Sequence, residues 1–206
     1  MNAQDDALRG MDVSRETLDR FRLFERVLQK WNRRINLVSR ASLDDFWRRH
    51  VADSVQVFRL GTPQGHWVDL GSGGGFPGLV VAILAASERH DLDVTLIESD
   101  QRKAAFLRAA ARETGAACAV LPARIESAPP QGADTVSARA LADLSTLLGF
   151  VHQHLKPGGT ALFPKGVTWE KELSAARRQW RFDVEPITSR TDADAVILKI
   201  HGVSRA

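Results

Sequence analysis

The segment from Gly71 to Gly78, read as GSGGGFPG, combines residue types and spacing that can do chemistry. It follows a short apolar run and precedes a helical pattern. Glycines at such a junction accept positive backbone dihedrals and let a ligand approach the main chain closely. The loop therefore predicts nucleoside binding. It leaves the class of nucleoside open, because Gly73, Gly75 and Gly78 also have the dinucleotide spacing G-x-G-x-x-G.

Two residues beside the loop favour a methyl donor, S-adenosylmethionine, over a dinucleotide. Asp69 precedes the first glycine, where its carboxylate suits a cationic sulfonium or amino group and repels a pyrophosphate. Pro77 lacks the backbone N–H that a phosphate would use at the start of the next helix. Glu98 ends the next strand and can accept hydrogen bonds from both ribose hydroxyls, with Asp100 or a simple helix cap as the alternatives.

Two further groups of residues have spacings that suggest a role. Ala123-Arg124-Ile125-Glu126 follows the third strand pattern, where a side chain can reach an adenine; a solvent-exposed loop is the alternative. His50, Asp53 and Ser54 lie at i, i+3 and i+4 and so share a helix face. Three residues on one short turn cannot reproduce a hydrolase triad with a separate oxyanion hole, and a histidine on a helix face is often a hydrogen-bonded structural residue.

The elements that must position these residues form an α/β pattern. Strands are predicted over 67–70, 93–98, 117–121, 133–138, 160–164, 182–187 and 195–201, and helices over 77–86, 101–114, 141–154 and 168–180. The polar turn 188–194 is short enough for an antiparallel hairpin. We predict a doubly wound, mostly parallel, seven-stranded sheet of Rossmann-like type with an antiparallel closing hairpin, and ligand-binding loops at the carboxyl ends of its strands.

N-terminal helices precede this sheet. Ser14 can cap a first helix, and Ser42 can cap a second one that ends before Gly61. Residues 1–13 are predicted to be loosely ordered, 14–62 to form a helical lead-in, and 63–206 to form one compact cofactor-binding domain. The acidic N-terminus and the short apolar runs indicate neither a signal peptide nor a membrane span, so a cytoplasmic protein is expected.

The net charge of +3 is small, but the basic residues are unevenly distributed. Six Lys or Arg fall between Lys30 and His50, with Trp31 and Trp47 interleaved, and five more fall between Lys165 and Arg181. Solvated helix faces would explain either run alone. Because the two runs flank the glycine loop in sequence, together they favour contact with a phosphate backbone.

Motifs between Trp31 and Gly166 together resemble the glucose-inhibited division protein B family. That family consists of bacterial methyltransferases that modify guanine N7 in 16S small-subunit rRNA near the decoding region. The matching motifs are Trp31-Asn32 with Asn36-Leu37, Arg49-His50-Val51-Ala52-Asp53-Ser54, DLGSGGGFPG, Glu98-Ser99 with Lys103 and Phe106-Leu107, Arg139-Ala140, and Leu155-Lys156-Pro157-Gly158-Gly159 leading to Lys165-Gly166. One departure is Ala138, where some relatives carry serine; Ser137 lies one place early and receives no role.

The resemblance implies a class I methyltransferase that binds S-adenosylmethionine, releases S-adenosylhomocysteine and needs no metal. Gly71, Phe76, Ile125, Glu126 and Arg139 match the family's cofactor-contacting positions. They join Asp69, Gly73, Gly75 and Glu98 in the predicted cofactor site.

Methylation of guanine N7 requires no general base, so the predicted catalytic contribution of Arg139 is positioning, through a bidentate contact with the cofactor carboxylate. The RNA-contact candidates are Asn36, Arg49, His50 and Lys165. The expected partner is 16S rRNA or the small ribosomal subunit, and the expected state is a monomer. Two alternatives remain from the residues themselves: a nicotinamide-dependent oxidoreductase and a non-catalytic RNA-binding protein.

Overall fold

The strands form a single sheet in the computed structural model, which describes residues 7–62, 64–88 and 91–206. They are β1 (Gly65–Leu70), β2 (Leu92–Ile97), β3 (Ala119–Leu121), β4 (Ala133–Ser137), β5 (Leu155–Lys165), β6 (Trp180–Thr188) and β7 (Val196–Arg205). Within these residues the strand order is β3-β2-β1-β4-β5-β7-β6. The first five strands run parallel, and β7 pairs antiparallel with both β5 and β6. The predicted fold class is confirmed, including its antiparallel closing hairpin.

The strand register brings the ligand-binding loops together. Leu70 pairs with Ile97, and Ile97 pairs with Leu121, so β1, β2 and β3 end side by side. On the other side of β1, Asp69 pairs with Ser137 near the end of β4. The loops that follow these four strands therefore meet at one edge of the sheet, as expected for an open parallel sheet.

The helices cover both faces of the sheet. They are α1 (Arg15–Asn32), α2 (Arg40–Asp44), a π-helical segment (Phe46–Ala52), α3 (Asp53–Leu60), α4 (Gly78–Glu88), α5 (Gln101–Thr114), a 3₁₀ turn (Ile125–Ser127), α6 (Leu144–His154) and α7 (Trp169–Ala176). Ser14 caps α1 as predicted, because its hydroxyl accepts a hydrogen bond from Thr17 N at 3.1 Å.

The predicted second helix differs from the structure in its start and its regularity. Ser39, not Ser42, is the N-cap, since the Ser39 hydroxyl accepts from Ser42 N at 3.2 Å and Ser42 lies inside α2. The chain leaves helical geometry at Asp45, continues as the π-helical segment and becomes α-helical again at Asp53. A hydrophobic pattern cannot reveal this change, because wider helical turns bury a similar set of residues.

Two other elements, α6 and β5, begin at residues that differ from those predicted. α6 begins at Leu144, not Leu141, because the Asp143 carboxylate caps it by accepting from Thr146 N at 3.1 Å. β5 begins at Leu155, where it pairs with Ala133 before the register shifts. Residues 156–159, which precede the strand predicted over 160–164, are therefore part of the strand itself.

The N-terminal helices share a hydrophobic core with the sheet. Phe24 on α1 is fully buried, with its ring centroid 5.1 Å from Phe76 after the glycine loop, 5.9 Å from Phe46 and 6.4 Å from Phe106 on α5. Leu8 and Met11 are buried in the same core, while residues 1–6 lie outside the described residues. A second core, on the opposite face of the sheet, contains α6 and α7.

Phe24→Ala is expected to lower the free energy of unfolding by about 3 to 5 kcal/mol, because it opens a cavity at the junction of four elements. Urea denaturation followed by circular dichroism measures this loss, and one cooperative transition is expected. Val167→Ala is the matched control, since Val167 is 78% exposed and should change stability by less than about 0.5 kcal/mol. A Phe24 variant with near wild-type stability would show that α1 is not an integral part of the core.

Candidate functional site

A cleft of about 1350 Å³ lies at the carboxyl edge of the sheet. Small-molecule pockets usually enclose about 300 to 1000 Å³, so this cleft has room for a cofactor and part of a second substrate. Its walls come from the glycine loop, the π-helical segment and the loops after β4, β5 and β6. Lining residues include Gly71, Gly73, Phe76, Arg49, His50, Asp53, Arg139, Lys165 and Thr191.

The glycine loop is built for close approach of a ligand. Gly73 has a φ of +51°, and a Cβ placed there would meet only the Gly71 carbonyl oxygen, at 3.7 Å. A side chain would therefore be strained and would occupy the space on the cleft side of the loop. At Gly78 a Cβ would lie 2.5 Å from Leu96 Cδ2 and 2.6 Å from Asp69 Cβ, so this glycine lets α4 pack closely on the strands.

Asp69 is fully buried beneath the loop and does not line the cleft. Its carboxylate accepts a 2.6 Å hydrogen bond from the Ser137 hydroxyl, which in turn accepts one from Trp67 Nε1 at 2.9 Å. Burial raises the pKa of Asp69 to about 6, against the lowering effect of its hydrogen bonds. The structure gives no support to the predicted direct contact with a cofactor cation, because the carboxylate is covered; it supports a role in joining β1 to β4. Ser137, which received no role from sequence, belongs to this junction.

Glu98 ties the glycine loop to the end of β2. Its Oε2 accepts from Gly73 N at 2.8 Å, and its Oε1 accepts from Asp100 N at 2.8 Å. A carboxylate has about four acceptor positions, so two remain for ribose hydroxyls. Asp100, the alternative ribose partner, caps α5 by accepting from Arg102 N at 2.8 Å. The ribose role of Glu98 stays a prediction.

Ile125 and Glu126 form the 3₁₀ turn after β3 and lie outside the residues that line the cleft. Ile125 is buried and Glu126 is exposed. The end of α6 holds this turn: His154 Nε2 hydrogen bonds to the Ile125 carbonyl at 3.0 Å, and Gln153 Nε2 donates to the Ala128 carbonyl at 2.9 Å. Their contact with the cofactor stays a prediction.

Arg139 follows β4 and is held by backbone and side-chain acceptors. One terminal nitrogen donates to the Arg49 carbonyl at 2.9 Å, and the other contacts His50 Nδ1 at 2.8 Å. The guanidinium carbon lies 5.0 Å from the centre of the Phe76 ring. Burial lowers the pKa of Arg139 to about 10, although the nearby Asp53 and Asp69 carboxylates oppose that effect, so the group stays cationic at neutral pH.

The residue after Arg139 has an unusual backbone. Ala140 has a φ of +51°, a left-handed conformation that costs a non-glycine residue about 1 kcal/mol or more. Such conformations concentrate at binding and catalytic sites. Ala140 also lines the cleft, next to the side chain that the sequence predicts to bind the cofactor.

His50 is buried, with 5% of its surface exposed, and stacks on Phe76 with centroids 4.5 Å apart. Burial, with smaller contributions from Arg139 and Arg49, lowers the pKa of His50 to about 3, so the imidazole is neutral at physiological pH. His50 lines the cleft but little of its surface is exposed, so its contact with RNA stays a prediction.

The other RNA-contact candidates occupy different environments. Asn36 is exposed but does not line the cleft, whereas Arg49 is both exposed and at the cleft. Lys165 lines the cleft, but its ammonium already donates to Glu172 Oε2 at 2.7 Å and to the Ala142 carbonyl at 2.9 Å. The basic residues of the first run are all exposed, and they are Lys30, Arg33, Arg34, Arg40, Arg48 and Arg49.

The loop between β6 and β7 is part of the site, although the sequence did not predict it. Thr191 donates a hydrogen bond to Asp53 Oδ1, and Arg48 donates to the Thr191 carbonyl. The turn 188–194 was predicted only as a hairpin connection, yet it reaches across to the π-helical segment and α3. Of the two residues in the Thr191–Asp53 contact, only Asp53 stood out in the sequence, because it shares a helix face with His50.

Comparison with known proteins gives the family. The family model described as rRNA small subunit methyltransferase G (GidB) matches residues 17–195. The chain belongs to this family. A curated family member from Ruegeria pomeroyi is 59% identical over 95% of this chain and 96% of its own length, and one from Ruegeria sp. (strain TM1040) is 58% identical over 95% of each. Both bear the name ribosomal RNA small subunit methyltransferase G.

The fold is also found in methyltransferases of low sequence similarity. A TehB-like SAM-dependent methyltransferase from Corynebacterium glutamicum superimposes with a TM-score of 0.58 at 14% identity, covering 86% of this chain and 97% of that protein. Membership in a methyltransferase family leaves the nicotinamide-dependent oxidoreductase alternative without support.

The described residues contain no group of three or more His, Cys, Asp or Glu side chains arranged to hold a metal ion. None of their helices is long and apolar enough to cross a bilayer.

The neutral state of His50 predicts a pH dependence of stability. The pKa of His50 is about 3 when folded, against an ordinary value of 6.5, so the unfolded chain binds a proton first as the pH falls. The stabilisation is complete above pH 6.5 and is lost as the pH falls toward 3. The side chain in His50→Asn does not titrate. Relative to that variant, the free energy of unfolding of the wild type, measured with urea, should fall by about 2 to 3 kcal/mol between pH 6.5 and 4.5. Parallel pH profiles for the two proteins would contradict this.

Proposed function

We propose that the protein transfers a methyl group from S-adenosylmethionine to N7 of a guanine in 16S rRNA, near the decoding region. The observation that carries this proposal is a cleft in a chain of the rRNA small subunit methyltransferase G family, where the glycine loop and a half-buried, cationic Arg139 face one cavity. The names of the relatives support rRNA as the substrate. The choice of a guanine, and of its N7 as the methylated atom, rests on the family resemblance.

The residues that line the cleft, together with Glu98 beside the glycine loop, fit the proposed cofactor. S-adenosylmethionine, when bound, supplies a methyl group activated by a sulfonium. The open face of Gly73 admits a nucleoside, Glu98 retains acceptor positions for its ribose, and the fixed Arg139 cation suits a carboxylate. The rest of the proposed cofactor site comprises Gly71, Gly75, Phe76, Ile125 and Glu126, with Asp69 supporting the loop from below.

This chain needs to supply positioning more than proton transfer. Guanine N7 is unprotonated near neutral pH and carries a lone pair, so its methylation removes no proton from the base. Fixing two reactants in line can contribute roughly 7 to 11 kcal/mol at best. The aligned strand ends and the hydrogen-bonded Arg139 provide the rigid frame that such positioning requires.

The RNA would enter from the side of the π-helical segment. Exposed arginines of the first basic run, Arg48 and Arg49, stand at the cleft and can contact phosphates. Because the major groove of an RNA helix is too narrow for protein side chains, the target guanine would present N7 from an exposed loop. We further propose that the protein acts as a cytoplasmic monomer on the small subunit or its rRNA.

Incubation with methyl-labelled cofactor and small subunits that lack the modification tests the function. The expected result is incorporation of about one methyl group per subunit, mapped to N7 of one guanine. Naked 16S rRNA and isolated subunits are compared as substrates. RNA binding without turnover would indicate the non-catalytic RNA-binding alternative, and label on another atom would contradict the N7 proposal.

Arg139→Ala is expected to weaken S-adenosylhomocysteine binding by about a hundredfold and to abolish methyl transfer, because two charge-assisted hydrogen bonds are lost. Isothermal titration calorimetry measures the affinity, and circular dichroism confirms that the fold is retained. The control is Arg112→Ala, whose side chain is 76% exposed at the far end of α5 and should leave the affinity unchanged. Unchanged activity of Arg139→Ala would remove this residue from the proposed site.

A further inference from the structure

The contact between His50 and Arg139 assigns a role that the sequence left open. We propose that His50 is a positioning residue: its Nδ1 and the adjacent Arg49 carbonyl together fix the Arg139 guanidinium at the cleft. The inference rests on the proposed function, in which Arg139 binds the cofactor carboxylate. His50 is buried in the wall of the cleft and would act on the ligand through Arg139.

The chemistry of the two side chains settles the direction of their hydrogen bond. An arginine has five N–H donors and no acceptor, so at 2.8 Å it must donate to His50 Nδ1. The imidazole is therefore neutral and carries its proton on Nε2. Arg139 uses one further donor for the Arg49 carbonyl, which leaves up to three for a ligand.

The end of the π-helical segment frees a backbone acceptor for the guanidinium. In an α-helix, Asp53 N–H would bond to the Arg49 carbonyl. Here Asp53 N–H bonds to the His50 carbonyl, which releases the Arg49 carbonyl from that bond. π-helical turns inside helices are frequent at functional sites. The Arg49 carbonyl lies in this segment and accepts from Arg139.

The ring of His50 is held in the orientation that this contact needs. It stacks on Phe76 at 17° and meets Phe46 edge-on at 6.4 Å, while the Ser54 hydroxyl donates to the His50 carbonyl at 2.6 Å. Phe76 directly follows the glycines of the loop. The stack therefore links the position of Arg139 to the position of the cofactor loop.

Three His50 variants separate hydrogen bonding from packing. In His50→Asn, the amide oxygen can take the place of Nδ1 as the acceptor, although the stacking ring is lost. In His50→Phe, the ring remains but the acceptor is removed, and His50→Ala loses both. We expect the Kd of S-adenosylhomocysteine to rise about ten- to a hundredfold in the Phe and Ala variants and to be largely restored in the Asn variant.

The wild-type protein provides a measurement that does not depend on whether variants fold. Long-range ¹H–¹⁵N correlation spectra report which nitrogen of His50 carries the proton. The expected result is the Nε2–H tautomer at neutral pH. An Nδ1–H tautomer, or a charged ring, would overturn the proposal, because neither can accept a hydrogen bond from Arg139.

Affinity for an rRNA fragment, measured without cofactor, completes the test. It should change less than about threefold in all three variants. Three results would each overturn the positioning role. They are a selective loss of RNA affinity, an unchanged S-adenosylhomocysteine affinity in His50→Phe, and an equal loss of S-adenosylhomocysteine affinity in the Asn and Phe variants. If the wild type does not bind S-adenosylhomocysteine, the proposed function fails as well; if it binds and His50→Phe binds equally, only this inference fails.

Discussion

A half-buried positive charge, the Arg139 guanidinium at the edge of the sheet, is the constraint on which the other features of the site depend. Withdrawing a guanidinium partly from water is unfavourable unless hydrogen bonds and opposite charges compensate. Arg139 obtains them from the Arg49 carbonyl, His50 and the nearby Asp53 carboxylate, all on the N-terminal helical segment. That segment must therefore pack against the sheet for the site to exist.

Aromatic packing makes the same connection through the core. Phe24, Phe46 and Phe76 join α1, the π-helical segment and the glycine loop in one cluster, and His50 extends this cluster to Arg139. Interiors packed this densely transmit small displacements between neighbouring elements. The geometry of the cofactor loop and that of the N-terminal helices are consequently linked.

Buried polar groups beneath the glycine loop fix the floor of the site. Trp67, Ser137 and Asp69 form a buried chain of hydrogen bonds between β1 and β4, and Glu98 joins the loop to β2. Hydrogen bonds between buried polar groups of this kind hold strand ends in one arrangement. The strand ends therefore form a rigid edge. Exposed arginines on the helical side make the entrance to the cleft positively charged.

The sequence by itself determined the sheet, the glycine loop, the capped first helix and the residues that gather at the strand ends. Hydrophobic periodicity, turn residues and helix caps are local signals that specify these features. The family motifs identified the positions that match cofactor-contacting residues. Only the tertiary structure decided that Asp69 is covered, that His50 faces Arg139 and not solvent, and that Thr191 reaches Asp53. Those facts depend on the irregular helical turn at Phe46–Ala52 and on contacts between residues 68 to 138 positions apart, which no local pattern encodes.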